Sequence, residues 1–189
     1  MPGPVDSDER RARLGAAAAR VIARAGISGA TMREVAAEAG WTTGALTHYF
    51  RNKRELLTFT LDASLERRRV TRAERRDLAP EDALRATLLR TLPIDEETRL
   101  HWTVTVAFCA QAAGDPELAV SQRDAYREFR ATVTSLVERA GRASGAAAVV
   151  EAERLISLLD GVAIQALFDP ESWPPERQLA SLDAAMAWH

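Results

Sequence analysis

Apolar residues recur along the chain at three- and four-residue intervals, the period of helices, and the spacing yields no strand. Leu14, Ala17, Ala18, Val21, Ile22 and Ala25 share one face of a helix predicted from about Asp6 to Ala25, which Gly26 stops. Thr31-Met32-Arg33-Glu34 reads as a capping box, in which hydroxyl and carboxylate satisfy orphan amides at a helix start. The helix it opens ends at Gly40. A third, short helix runs from Thr42 or Thr43 to about Tyr49. Asn52, with Glu55 three residues on, opens a fourth. Its apolar face is Leu56, Leu57, Thr60, Leu61, Ser64 and Leu65, and its Arg-rich end reaches Arg76. Further helices are predicted from Pro80 to about Leu92, from Asp95 to Ala113, from Pro116 to Ala140, from Ala146 to Phe168, and from about Glu176 to Trp188. Pro93, Gly114-Asp115-Pro116, the stretch from Gly141 to Gly145, and Asp169-Pro170 with Trp173-Pro174-Pro175 break the chain between them. The fold class is therefore all-α, with about nine helices.

Composition supports this pattern. Ala and Leu are abundant while Ile, Tyr and Phe are few, which favours helix over strand. A chain of 189 residues with 47% hydrophobic and 28% charged residues is ordinary for a globular protein. Its single cysteine, Cys109, excludes an internal disulfide and a Cys-rich zinc site, and reads as a small buried hydrophobe. No apolar run approaches membrane-helix length, and Met1 to Glu9 lacks a signal core, so a cytoplasmic location is expected.

The net charge of −2 hides an asymmetry. Residues 1–76 hold 15 Arg and Lys against 9 Asp and Glu, a surplus of six positive charges. Residues 77–189 hold 10 against 18, a surplus of eight negative ones. A basic first third suggests an anionic partner there, with nucleic acid the leading candidate. Arg67, Arg68 and Arg69 lie on different faces of one helix, as a solvated surface would have them.

Two short helices joined through Ala39-Gly40-Trp41 form a helix-turn-helix, whose tight turn needs a backbone conformation that glycine supplies. The second helix of such a unit enters the major groove while the first crosses the backbone. Leu46 and Phe50 point into the core on this reading, and small or hydrogen-bonding side chains face out.

Thr31-Met32-Arg33-Glu34-Val35-Ala36, Ala39-Gly40-Trp41-Thr42-Thr43-Gly44-Ala45-Leu46-Thr47-His48-Tyr49-Phe50 and Asn52-Lys53-Arg54-Glu55-Leu56-Leu57 together resemble the N-terminal domain of TetR-family transcriptional regulators. Leu159-Asp160-Gly161-Val162 through Asp169-Pro170 to Trp173-Pro174 more loosely resembles the BetI-like subgroup. The resemblance implies a helix-turn-helix domain at 1–52 and a ligand-binding, dimerising helical domain at 53–189, connected by a helix from about 53 to 76. It implies contacts to double-stranded DNA from Thr31, Arg33, Thr42, Thr43, Gly44, Ala45, Thr47, His48, Tyr49 and Lys53. Thr31 would meet a phosphate, and Arg33 a phosphate or a guanine edge. Gly44 and Ala45 would allow close approach, with Ala45 against a thymine methyl, and Lys53 would neutralise a phosphate. Thr47 stands where the family commonly has Tyr, so its reach is shorter.

In the helix from Ala146, Leu155, Leu158, Leu159, Val162 and Ala166 form one apolar stripe, wide enough with its neighbours for burial on more than one side. Gly161 costs about 1 kcal/mol in a helix interior, which a close helix crossing would explain. These residues and Leu179, Leu182 and Met186 of the last helix are the expected dimer interface. The resemblance implies a homodimer through these two helices. It would be a ligand-responsive repressor that binds a near-palindromic operator through residues 42–49. His101, Trp102, Thr105, Phe108, Cys109, Gln111, Tyr126, Phe129 and Gln165 mix aromatic surface with polar handles and are candidates to line a pocket for an unidentified small-molecule effector.

An enzyme is not expected. His48, His101 and His189 have no metal-ligand spacing, no nucleophile elbow or phosphate-binding loop is present, and neither metal nor cofactor is called for. A helical binding protein that has lost DNA affinity is the remaining alternative, with Thr47 its one hint.

Overall fold

The computed structural model of the chain describes residues 4–67 and 77–187, and among them every regular element is a helix. There are nine: α1 (Pro4–Gly29), α2 (Met32–Glu38), α3 (Thr43–Thr47), α4 (Lys53–Arg67), α5 (Pro80–Leu89), α6 (Glu96–Ala112), α7 (Pro116–Arg139), α8 (Ala146–Phe168) and α9 (Pro175–Ala187). The expected Arg-rich extension from Arg68 to Arg76 and the end at Trp188 lie outside the described residues.

Local rules explain most boundaries. Gly26 breaks α1 with φ 69° and ψ 174°, and a last turn continues beyond it to Gly29. The Thr31 and Thr42 hydroxyls cap α2 and α3, accepting from Glu34 N at 3.2 Å and Ala45 N at 3.1 Å. Asn52 Oδ1 caps α4, accepting from Glu55 N at 2.9 Å. The reciprocal halves of the two expected boxes are replaced by other bonds. Thr31 N donates to Gly29 O at 2.8 Å, and Glu55 Oε2 accepts instead from Arg51 N at 2.9 Å. A complete reciprocal box occurs at α6, where Thr98 N donates to Asp95 Oδ1 at 2.7 Å and Asp95 N to Thr98 Oγ1 at 3.1 Å.

The residues group into two compact units. The first comprises the chain up to Glu66 together with Thr103–Ala119, and the second comprises Arg67–Trp102 and Val120 onward. In the first, α2 packs on α1 and α3 on α2. Leu14, Ala17, Ala18, Val21, Ile22, Val35, Leu46, Phe50, Leu56 and Leu61 are buried there, as the apolar spacing predicts, whereas Ala25 is exposed and Leu65 half-buried. In the second, α9 packs on α8 and α5. Leu84, Leu88, Leu92, Val133, Leu136, Val137, Leu155, Leu159 and Leu182 belong to its core cluster.

Candidate nucleic-acid interface

The turn between α2 and α3 is closed by a helix-ending motif. Gly40 sits at φ 72°, and Trp41 N donates to Ala36 O at 2.8 Å. A side chain at position 40 would be strained there. Leu46 and Phe50 are fully buried, as the spacing requires. They fix the roll of α3, so its other face looks outward.

The expected contact residues are spread over α3, the start of α2 and the start of α4. Thr31, Arg33, Thr42, Thr43, Gly44, Thr47 and His48 are exposed, and Ala45, Tyr49 and Lys53 are half-buried. All ten lie in the first unit. The Arg33 side chain is 85% exposed, with Glu34 at 3.6 Å. A Cβ on Gly44 would meet only Thr42 Oγ1, at 3.9 Å, so the protein's own packing does not demand glycine there. Thr47 Oγ1 donates to Gly44 O at 2.8 Å, which directs its proton back into the helix. Lys53 Nζ donates to Ser28 O at 3.2 Å and ties the start of α4 to the end of α1.

The surface rests on contacts that spacing did not single out. Arg11 donates to Tyr49 O at 2.8 Å, which anchors the exit of α3. Its guanidinium lies 4.6 Å from the Phe50 ring centroid and 5.1 Å from that of Phe59. Arg10 donates to Tyr49 Oη at 3.3 Å, and the Tyr49 ring meets Trp41 edge-on at 5.5 Å. Glu38 of α2 accepts from Arg20 at 2.7 Å and Arg24 at 3.2 Å. Those two bonds, Arg20 first, hold its carboxyl below the usual value. A basic run at residues 10–13 was visible in the sequence, but its aromatic partners lie 38 or more residues away.

The candidate effector residues divide between the units. Thr105, Phe108, Cys109 and Gln111 fall in the first, and His101, Trp102, Tyr126, Phe129 and Gln165 in the second. His101, Trp102, Thr105 and Phe108 are buried, and Phe129 is half-buried. Trp102 Nε1 donates to Thr91 O, and Tyr126 Oη to Asp160 Oδ2 at 3.0 Å. Gln111, Tyr126 and Gln165 are exposed. Cys109 is exposed too, which corrects its reading as a buried hydrophobe.

The dimer candidates need a sharper correction. Leu155, Leu159, Val162, Ala166, Leu182 and Met186 are buried within the single chain, so they offer no area to a second copy. Leu158 and Leu179 are half-buried and Gly161 is exposed. The opposite face of α8 shows Val150 (65% exposed), Ser157, Gly161 and Phe168 (75%). Spacing found the stripe, and in the single chain that stripe faces the chain's own core. A Cβ on Gly161 would meet nothing within 4 Å, so no crossing inside the chain explains this glycine.

Among the described residues no group of His, Cys, Asp or Glu has the arrangement of a metal site. None of the described helices is long and apolar enough to cross a membrane.

Comparison with known proteins agrees with this geometry. Residues 14–58 match the model of the bacterial regulatory proteins of the tetR family, and residues 80–187 match that of the BetI-type transcriptional repressor C-terminal domain. The chain is 35% identical over 173 residues to the HTH-type transcriptional regulator PksA of Bacillus subtilis, covering 90% of this chain and 84% of that one. It is 33% identical over 157 residues to the regulator BetI of Burkholderia mallei, covering 81% and 79%. A transcriptional regulator from Rhodococcus superposes with a TM-score of 0.81 at 32% identity over 94% of each chain. A regulator from Saccharomonospora viridis, solved in complex with choline, shares the fold with a TM-score of 0.81 at 22% identity, over 95% of this chain and 96% of that one. With a helix-turn-helix surface, a BetI-type C-terminal domain and relatives of this kind, the chain belongs to the TetR family of DNA-binding transcriptional regulators.

Proposed function

We propose that the protein is a homodimeric, ligand-responsive repressor acting in the cytoplasm on a near-palindromic operator. The observation that carries the DNA part is the outward face of α2 and α3, with exposed Arg33, Thr42, Thr43 and Gly44 over buried Leu46 and Phe50. Small and hydroxyl side chains there suit close approach to base edges and phosphates, and Arg33 and Lys53 supply charge. Residues 1–52 act as the reading domain and 53–189 as the ligand and dimer domain.

Dimerisation is assigned to the outward faces of α8 and α9. Phe168 and Val150 are large and exposed, and Gly161 between them has no reason within the chain to lack a side chain. A close approach by a second copy supplies one. Half-buried Leu158 lies within this stretch of α8 and half-buried Leu179 on α9, whereas the buried Leu155 stripe serves the chain's own core. Two copies would set two recognition helices about one DNA turn apart.

The effector is a small molecule held by some of the aromatic and polar candidates named above. Because a regulator of the same fold was solved with choline, a small organic cation is the first ligand to test. Displacement of a fluorescent operator fragment by choline and related cations, with sedimentation velocity on the same samples, tests both parts. The reading predicts a dimer that releases DNA on ligand addition. A monomer at micromolar concentration would reject the assembly, and DNA affinity unmoved by any small molecule would reject the ligand response.

A further inference from the structure

Arg54, the second residue of α4, stands beside the proposed phosphate contact Lys53. Its guanidinium reaches Asp115 Oδ2 at 3.0 Å and Oδ1 at 3.4 Å, and Glu117 Oε2 at 2.8 Å. Asp115 belongs to the turn between α6 and α7 and Glu117 to the first turn of α7, 61 and 63 residues away along the chain. Asp115 is itself fixed, because its Oδ1 caps α7 by accepting from Glu117 N at 3.1 Å and Leu118 N at 3.3 Å. A planar fork between two carboxylates sets direction as well as distance, which a lysine in its place would not do. The hydrogen bonds from Arg54 are the first cause holding the Asp115 carboxyl below its usual value.

A cavity of about 340 Å³ lies at this place, lined in part by Ile27, Leu57, Gln111 and Leu118 with Lys53, Arg54 and Asp115 at its polar edge. The Arg54 ion pair with Asp115 lies in the lining of this pocket.

We propose that Arg54 is a positioning residue for DNA binding: by gripping Asp115 and Glu117, it fixes the start of α4 and so the place from which Lys53 meets a phosphate. The DNA half of this inference rests on the operator reading given above. Pairs this exposed contribute little to global stability, and the Arg54 side chain is 55% exposed. Their effect is on geometry. Preorganised placement of a contact group raises affinity without adding a contact.

Two variants test this because they change charge in opposite directions. Arg54→Gln removes one positive charge. The double variant Asp115→Asn/Glu117→Gln removes two negative ones, and Asn at 115 keeps a good helix cap. Acting through bare charge, the first would weaken binding to the DNA fragment upstream of the protein's own coding sequence and the second would tighten it. Positioning predicts that both weaken it, by about tenfold, the scale of one or two lost backbone contacts. It also predicts faster hydrogen exchange in the free protein at the Glu55 and Leu56 amides, which bond to Asn52 at 2.9 and 3.3 Å, with little change in melting temperature. Arg54→Lys should lie between wild type and Arg54→Gln. Affinities that move in opposite directions, or exchange unchanged in both variants, would overturn the proposal. A wild-type protein that binds no such fragment would count against the operator reading, and the exchange measurement would still decide whether Arg54 fixes α4.

Discussion

Ion pairs do different work in the two units. In the first they join helix surfaces in solvent: Arg20 and Arg24 hold Glu38, and Arg54 holds Asp115 and Glu117. In the second, the Arg142 side chain is only 5% exposed and reaches Glu81 Oε1 at 2.8 Å, Glu151 Oε1 at 3.4 Å and Met186 O at 2.6 Å. Arg154 grips Glu151 from the other side and donates to Ala185 O at 2.7 Å. Two arginines thus satisfy carbonyls in the last turn of α9, which otherwise lack helical partners. Exposed pairs leave a surface adjustable, whereas a buried network sets one arrangement and is costly to break. The unit that reads DNA has the first kind, and the second unit adds the buried network to exposed pairs of its own, such as Arg85–Asp183 and Arg130–Glu153.

The strongest way to break this contrast is to remove Arg142. Arg142→Met leaves Glu151 short of a partner near the core and one carbonyl, Met186 O, poorly satisfied. Urea unfolding should show a loss of about 3 kcal/mol. A loss under 1 kcal/mol would make the network no different from the surface pairs.

The two faces of α8 sharpen the contrast next. Leu155→Ala should cost about 3 kcal/mol of unfolding free energy by leaving a cavity. Phe168→Glu should leave the stability of the isolated chain nearly unchanged and shift the protein toward monomer in sedimentation velocity. If Leu155→Ala dissociates copies without destabilising the chain, the two faces have been exchanged.

That exchange marks where sequence reading stops. Thr31, Asn52 and Gly40 were legible because a cap or turn is fixed by residues three or four apart. The burial of Leu46 and Phe50 followed from the same local period. For α8, spacing correctly grouped Leu155, Leu159, Val162 and Ala166 but did not say whether that stripe met the chain's own core or a partner. Only the fold decides, because α9 and α5 arrive from distant sequence. Arg11 and Arg54 were missed for the same reason: an arginine in a basic run looks solvated until its partners, 38 and 61 residues away, are brought to it.

A smaller effect is expected at Arg11. Arg11→Lys keeps the charge but loses the planar fork between Phe50 and Phe59. Sequence-specific DNA affinity should fall by about 1 kcal/mol, the worth of one such contact, and non-specific affinity at low salt should not change. Equal loss for both kinds of DNA would mean that Arg11 acts only as a charge.

The smallest effect is in pH dependence. Arg154 first, and then Arg142, hold the Glu151 carboxyl below its ordinary 4.5. The folded state therefore favours the charged form. Its stabilisation is present above pH 4.5 and is lost as the pH falls through the lower folded value. Urea midpoints measured downward from pH 6 should fall more steeply in wild type than in Glu151→Gln. Parallel curves would remove Glu151 from the account.

The central claim, that the face of α2 and α3 reads one DNA site, is tested most directly by fluorescence-anisotropy titration against duplexes tiled across the protein's own upstream region. The titrations run at several salt concentrations, beside an Arg33→Ala/Lys53→Ala variant. The account predicts tight binding to one tile, with a steep salt slope that shallows by roughly 0.9 for each phosphate contact removed. Weak and equal binding to every tile, unchanged in the variant, would contradict it.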